Sequence, residues 1–451
     1  MTRRSTYLAG AGTLLLLAAL LAPRGVEAQA STAEPSTPAA TEPPPKPATG
    51  EAPAKPSFAI YGTFNVNGQF TQAKGATATG ADVKGRGAVS IDSSNIGLRG
   101  SYDLPIGFAV VFQCETGASI DGINNASLCN RNSRVGFSGK YGALFYGNWD
   151  TPFKTAIYAT KVDDPFTVTD VYGFAGVLSS PGFNYRSSGW ATGSSSPVTG
   201  FDVRANNSIA YHSPVVAGLS LKLQYSTNEF KNASGTQDPT LYSASVAYDL
   251  AGLSVIGAYE LHKDGFALAG INGVAAGPFP FGATAANTIG TATAAAHSND
   301  FAWRVGAGYQ LDWAAGATTV GAIYERLALE QDDAPAGAVE KYERDAWQVN
   351  LKHRYKAWEL RARYSQAESG DATLVGGADG QTDDYGASNL ALGAAYFFAK
   401  STQVYLQYAQ IWNDENARYT FPVGGSQAVV GPNTPAGGDP LAVGLGVKHQ
   451  F

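Results

Sequence analysis

The sequence predicts an all-β protein: one transmembrane antiparallel β-barrel of sixteen strands. Three observations lead there. From residue 57 onward apolar and polar residues alternate with period two almost without a break, the signature of strands with one apolar face. The connections between these runs alternate strictly between short and long. The composition agrees: 44% of the 451 residues are hydrophobic and 11% aromatic, 53 are Gly, and only 15% are charged, against roughly 25% charged in an average soluble domain. A length prior of about 150 residues per domain would suggest three domains, but it fails for large single barrels.

Several classes drop out on composition. A net charge of −6 does not suit a nucleic-acid binder that neutralises phosphates. Five His and two Cys leave little for a four-ligand zinc site, so no metal and no cofactor are expected. His212, His262, His297, His353 and His449 are scattered, without His-x-x-x-His spacing, and no G-x-S-x-G elbow is present. No enzyme chemistry is expected.

The N-terminus reads as an export signal over residues 1–30. Thr2-Arg3-Arg4 is positive, Leu8 to Ala22 is apolar, and Ala28-Gln29-Ala30 is a small-residue cleavage site. The competing reading is an uncleaved anchor helix, which the shortness of the run disfavours. Residues 31–56 form a proline-rich linker around Glu42-Pro43-Pro44-Pro45-Lys46-Pro47. With no apolar side chain larger than Ala until its end, this segment cannot build a core.

The strands then follow in order. The first, near 58–70, places Phe58, Ile60, Phe64, Val66 and Phe70 on one face and Thr63, Asn65, Asn67 and Gln69 on the other. Further strands lie near 87–102, 106–116, 133–139, 142–150, 204–212, 218–227 and 240–249. The second half runs near 253–262, 299–311, 316–328, 344–356, 357–367, 388–398, 402–412 and 440–451. Seven short turns separate eight long loops, near 71–86, 117–132, 151–203, 228–239, 263–298, 329–343, 368–387 and 413–439. In an up-and-down barrel all the long loops share one end, as in outer-membrane barrels, and an even strand count puts both termini at the other. Greek-key sandwiches have no such two-class alternation.

Hydrocarbon demands that every backbone group be paired, which a closed barrel achieves and an open sheet does not. The apolar face therefore meets outer-membrane lipid or another subunit, and the polar face lines a lumen. Tyr225, Tyr309, Trp347, Trp358, Tyr364 and Trp412 fall where interfacial aromatics belong. Sixteen strands leave room for water inside. Phased by their apolar neighbours, Arg99, Arg134, Arg204, Lys222, Arg304, Lys352, Arg354, Arg361, Arg363 and Lys448 point inward, against Glu115, Glu260, Glu325 and Glu359. Gln113 shares the inner face with Glu115. Tyr61, Phe145, Trp149 and Tyr405 also point inward and offer stacking surfaces to sugars.

Four motifs resemble the general, non-specific porins of Gram-negative outer membranes, of the β-proteobacterial type. They are Ser93-Ser94-Asn95-Ile96-Gly97-Leu98-Arg99-Gly100, Asn130 to Gly139, Arg204-Ala205-Asn206-Asn207-Ser208-Ile209-Ala210-Tyr211-His212-Ser213-Pro214, and the terminal Gly446 to Phe451. The resemblance implies a homotrimer in the outer membrane, each subunit with its own pore for small hydrophilic solutes and ions. It implies that the third loop, 151–203, folds into the lumen as a constriction. Asp163 and Asp164, with Asp170 further along, are its acids; the competing reading is an outer surface loop with solvated aspartates. Phe451 would be the sorting signal read by the barrel-assembly machinery. Asn95 stands where the family has an inward Arg, which thins the basic wall at that strand. The alternative function is a substrate-specific channel for anions, organic acids or sugars.

Cys114 and Cys129 flank the second loop. A hairpin brings such positions together, and in an exported protein a disulfide is favoured over two free thiols; closing 15 residues is worth roughly 3 kcal/mol in the chain-entropy model. In the resembling family this loop latches onto a neighbouring subunit, so the bond would stiffen a trimer contact.

Overall fold

The computed structural model describes residues 56–91, 93–118, 127–158, 160–163, 165–166, 177–182, 189–190, 200–227, 237–268, 280–285, 296–421 and 434–451. The leader and, up to residue 55, the proline-rich linker lie outside them.

Sixteen strands close into one antiparallel barrel. The first half comprises β1 (Ser57–Lys74), β2 (two segments, Val83–Ser90 and Asn95–Asp103), β3 (Phe108–Gly117), β4 (Ser133–Gly139), β5 (Gly142–Asp150), β6 (Arg204–His212), β7 (Leu219–Thr227) and β8 (Thr240–Leu250). The second comprises β9 (Leu253–Lys263), β10 (Asn299–Trp313), β11 (Gly316–Glu330), β12 (Val339–Tyr355), β13 (Trp358–Ala367), β14 (Ala387–Ala399), β15 (Thr402–Asn413) and β16 (Asp439–Gln450). Each strand pairs with its chain neighbours, and β1 closes on β16 in an unbroken register from Thr63 opposite Gln450 to Lys74 opposite Asp439. Beyond the last strand, Phe451 and Gly62 exchange both backbone hydrogen bonds at 3.1 Å, so no edge is left at the seam.

The expected strands are all present, with two differences. The second is interrupted between Ser90 and Asn95, where Ser93 has φ 51°. There the Ser94 hydroxyl takes over the ladder's role: it accepts from the Asn65 amide at 2.9 Å and donates to the Asn65 carbonyl at 3.3 Å. Strands β1 and β12 also run further than the alternation suggested. At the top of β12 both faces carry charges, because Arg326 and Asp345 pair at 2.6 Å on the outer face, and the apolar signal is lost.

The faces sort as the alternation predicts. On β12 Trp347, Val349, Leu351 and Tyr355 are exposed, whereas Gln348 and Asn350 are buried. Ring pairs across the register form two outer belts. One holds Tyr225 with Tyr242, Trp303 with Tyr324 and Trp347 with Tyr364; the other holds Trp313 with Tyr355 and Trp358 with Tyr396. From Trp347 to Tyr355 the strand rises about 26 Å at about 3.3 Å per residue. Tilted by about 40°, that spans about 20 Å of membrane normal, close to the apolar band of an outer-membrane barrel.

Described residues of the connection from β5 to β6 pack against the opposite, buried face. It opens with α1 (Pro152–Thr155), capped by Thr151, whose side chain accepts from the Lys154 amide. Phe153, Ile157, Val162 and Phe201 bury against Ile256, Ala302 and Ile323; Phe166, Val177 and Leu178 share a cluster with Ala346, Ala391 and Ile411. Two glycines make the approach possible. A Cβ at Gly308 would lie 2.2 Å from the Lys161 carbonyl oxygen, and one at Gly321 3.0 Å from it.

Candidate pore lining

Five polar clusters stand on the buried face. At the base of the long connection, Asp150 accepts Lys154 at 2.9 Å and Arg204 at 3.1 Å. Asn132 joins them: its amide donates to Asp150 at 2.9 Å and its oxygen accepts from Arg204 Nε at 3.1 Å. Burial pushes the Lys154 ammonium below its ordinary value, against the pull of Asp150 and with the repulsion of Arg204.

The second cluster centres on Arg304. One guanidinium nitrogen donates to Asp202 at 2.9 Å, Glu325 at 2.8 Å and the Ser179 hydroxyl at 2.6 Å, while the group lies 3.6 Å from the Phe153 ring centroid. Beside it, Arg344 donates to the carbonyls of Val177 at 2.9 Å and Ser180 at 2.5 Å. Glu325 also accepts from the Ser179 amide at 2.6 Å. Buried arginines are costly unless paired. Here Glu325 of the wall and Asp202, Ser179 and the Val177 and Ser180 carbonyls of the connection take up part of their donors, while Arg304 Nε and Arg344 Nη1 have no hydrogen-bond partner among the described residues.

The third cluster surrounds Asp163, whose carboxylate lies 3.8 Å from Lys352 Nζ. On the adjoining strand Glu359 accepts from Arg361 Nε at 2.7 Å and contacts Arg354 at 3.4 Å. Arg361 also donates to Gln403 at 2.9 Å, crossing the intervening strand β14 where Gly393 stands opposite it. Arg363 donates to Asn389 at 2.9 Å and faces the Phe166 ring.

The fourth cluster holds Glu115, which accepts from Arg131 Nε at 2.7 Å and from the Tyr61 hydroxyl at 3.1 Å. Arg99 lies 4.9 Å from the Tyr61 ring centroid, and Gln113 donates to the Asn132 carbonyl at 2.9 Å. Asn95 is buried with its amide on the Ser93 carbonyl. In the fifth, Arg134 stands over the rings of Phe145 and Trp149 at 4.8 and 4.7 Å. Cys114 and Cys129 are joined by a disulfide, with Cα atoms 4.7 Å apart.

Every basic residue expected inward therefore lies on the face opposite the exposed apolar one. They do not form one continuous basic wall, however. Acids on the wall itself divide them, and Arg304 and Arg363 are each only 1% exposed, covered by the connection rather than bathed in solvent. Asp164 and Asp170 lie outside the described residues. Sequence reasoning missed Arg344, Asp150, Lys154 and Asp202. Arg344 shares the parity of Gln348 and Asn350, which is the signal that locates it; the other three sit at or beyond strand ends, where parity carries no information.

A sixteen-stranded barrel with an apolar outside, a charged inside and a model of the Gram-negative porin family matching residues 17–335 leaves one assignment. The chain belongs to the Gram-negative porin family. Outer membrane porin protein 32 of Delftia acidovorans is 31% identical over 181 residues, 39% of this chain and 47% of that one; this porin spans about half the length of that relative. The major outer membrane protein P.IB of Neisseria lactamica is 23% identical over 346 residues, 76% of this chain and 84% of the other. Among solved structures, the anion-selective porin from Comamonas acidovorans superposes with a TM-score of 0.61 at 19% identity, covering 88% of this porin and 100% of that chain, a likeness of fold. This porin resides in the outer membrane, which it crosses many times, and family and fold point to a channel rather than an enzyme.

Proposed function

We propose that this porin is a water-filled channel for passive diffusion of ions and small hydrophilic solutes, narrowed by the 151–203 connection. The observation that carries the constriction is the approach of Asp163 to Lys352 at 3.8 Å, an acid of the connection against a base of the wall. Opposed charges across a narrow aqueous passage create a field that orients dipolar solutes and separates cation from anion paths. The reading extends to a homotrimer with long loops outside, termini in the periplasm, and β16 with Phe451 as the element handed to the barrel-assembly machinery. Planar-bilayer recording on the purified full chain tests it. Stepwise, ohmic conductance in KCl is expected; no conductance above the lipid background overturns it. A substrate-specific channel is the second reading, favoured by the excess of cations around Glu359, and saturable block by one solute would distinguish it.

A further inference from the structure

Among the inward cations Lys448 differs from the rest. It is 6% exposed, and among the described residues its ammonium has no hydrogen-bond or ion-pair partner. The charges that act on it are Arg361, which repels it, and Asp163 and Glu359, which attract it from beyond ion-pair distance. Both acids are already engaged: Glu359 with Arg361 and Arg354, and Asp163 with Lys352. The cluster thus holds four cations, Lys352, Arg354, Arg361 and Lys448, against two carboxylates among the described residues, an excess of two positive charges. A charge held on a side chain so little exposed is poorly solvated, and an anion seated beside it offsets that.

The donors that remain lie on the same inner face. Arg361 spends Nε on Glu359 and one terminal nitrogen on Gln403, which leaves its second terminal nitrogen. Gln403 stands opposite Lys448 in the β15–β16 register, and Asn65 opposite it on the other side. The side chain of Lys448 therefore rises between two polar neighbours on the same face as Arg361. Charge-assisted hydrogen bonds of this kind are the strong ones.

We propose that Lys448, with Arg361 and Lys352, forms a binding subsite for small, doubly charged oxyanions of the phosphate class. This rests on the channel reading and gives the channel a ligand class. Among the described residues a dianion matches the excess of two charges, which a monovalent anion leaves half compensated. The site lies on β12, β13 and β16.

The test uses the full-length porin in a planar bilayer in KCl with inorganic phosphate added at a pH where it is doubly charged. The chloride current of the wild type should fall with phosphate concentration and saturate. Lys448→Gln should raise the half-blocking concentration about tenfold, the loss of one charge-assisted contact, whereas Lys448→Arg should keep it near the wild-type value. Heat-modifiable gel mobility checks that each variant is folded, and a folded Arg361→Gln variant provides a second reading of the same site. Sulfate blocking as phosphate does supports the oxyanion class. An ohmic wild-type channel that phosphate does not block overturns the subsite and leaves the channel reading standing, as does block of equal strength in Lys448→Gln. Absence of any KCl conductance overturns the channel reading itself.

Discussion

The Tyr405 hydroxyl donates to Asn65 Oδ1 at 2.5 Å, reaching from β15 to β1 across the strand between them. It passes over Gly446, where a Cβ would lie 2.4 Å from both the Tyr405 Cζ and Oη atoms. The ring fills the room that the glycine leaves, and the hydroxyl ties together three strands at the seam of the barrel. Gly446→Ala forces the ring to tilt and should cost about 1–3 kcal/mol, the usual penalty for overpacking. Tyr405→Phe removes this bond and the one the hydroxyl accepts from the Asn67 amide at 3.4 Å, and should cost about 1–3 kcal/mol. Both are read from the temperature at which the folded form loses its gel mobility. In a Tyr405→Ala background Gly446→Ala should cost much less, since the coupling belongs to the pair.

Glu325 provides a sharper case. Glu325→Gln removes the acid facing Arg304 at 2.8 Å and Arg344 at 3.5 Å, leaving buried guanidinium charge undercompensated. A loss of about 3–5 kcal/mol is expected, together with faster proteolysis within 151–203. Arg326→Ala on the same strand is the control: its pair with Asp345 is on the outer face and 43% exposed at the arginine, and its loss should cost less than about 1 kcal/mol.

The buried Lys154 gives a pH dependence with a definite sign. Its folded-state value is held below the ordinary 10.5 by burial. Between the two values the unfolded chain keeps a proton that the folded chain has released, so stability rises with pH across that alkaline window. Lys154→Met should abolish that rise without large loss at neutral pH, because Arg204 still compensates Asp150. Melting curves of the two proteins from neutral to alkaline pH check this; parallel curves would overturn it.

Asp163→Asn removes the acid that faces Lys352. Selectivity should shift toward anions, read as a change of reversal potential across a salt gradient. An unchanged reversal potential would mean that Asp163 does not face the ion path.

The Cys114–Cys129 bond closes a hairpin whose residues also hold the base of the long connection through Asn132 and Asp150. Replacing both cysteines by alanine should lower the stability of that hairpin by roughly 3 kcal/mol in the chain-entropy model. If the second loop also stiffens a contact between subunits, reduction should lower the melting temperature of the trimer; an unchanged trimer would refute that role.

The strands were legible because a barrel wall is nearly a one-dimensional pattern: lipid on one side and polar surroundings on the other dictate the parity of each residue. Tyr405 and Arg304 could be phased from their neighbours alone. Their partners could not. That Tyr405 meets Asn65, or that Arg304 meets Asp202, depends on register and on the path of a connection with no periodicity. The break in β2 escaped for another reason, since Ser94 keeps the hydrogen-bond count while breaking the ladder, and composition does not register the exchange.

The mutual hydrogen bonds of Phe451 and Gly62 bear on timing. The first strand finds its second partner only when the last residues of the chain are present, so the contact order of the closing step is close to the greatest the chain allows. Such pairings are slow because the loop entropy is spent before the contacts form. A growing chain therefore cannot bank its early strands as finished structure, and any truncation before β16 leaves β1 with a row of amides that lipid cannot satisfy.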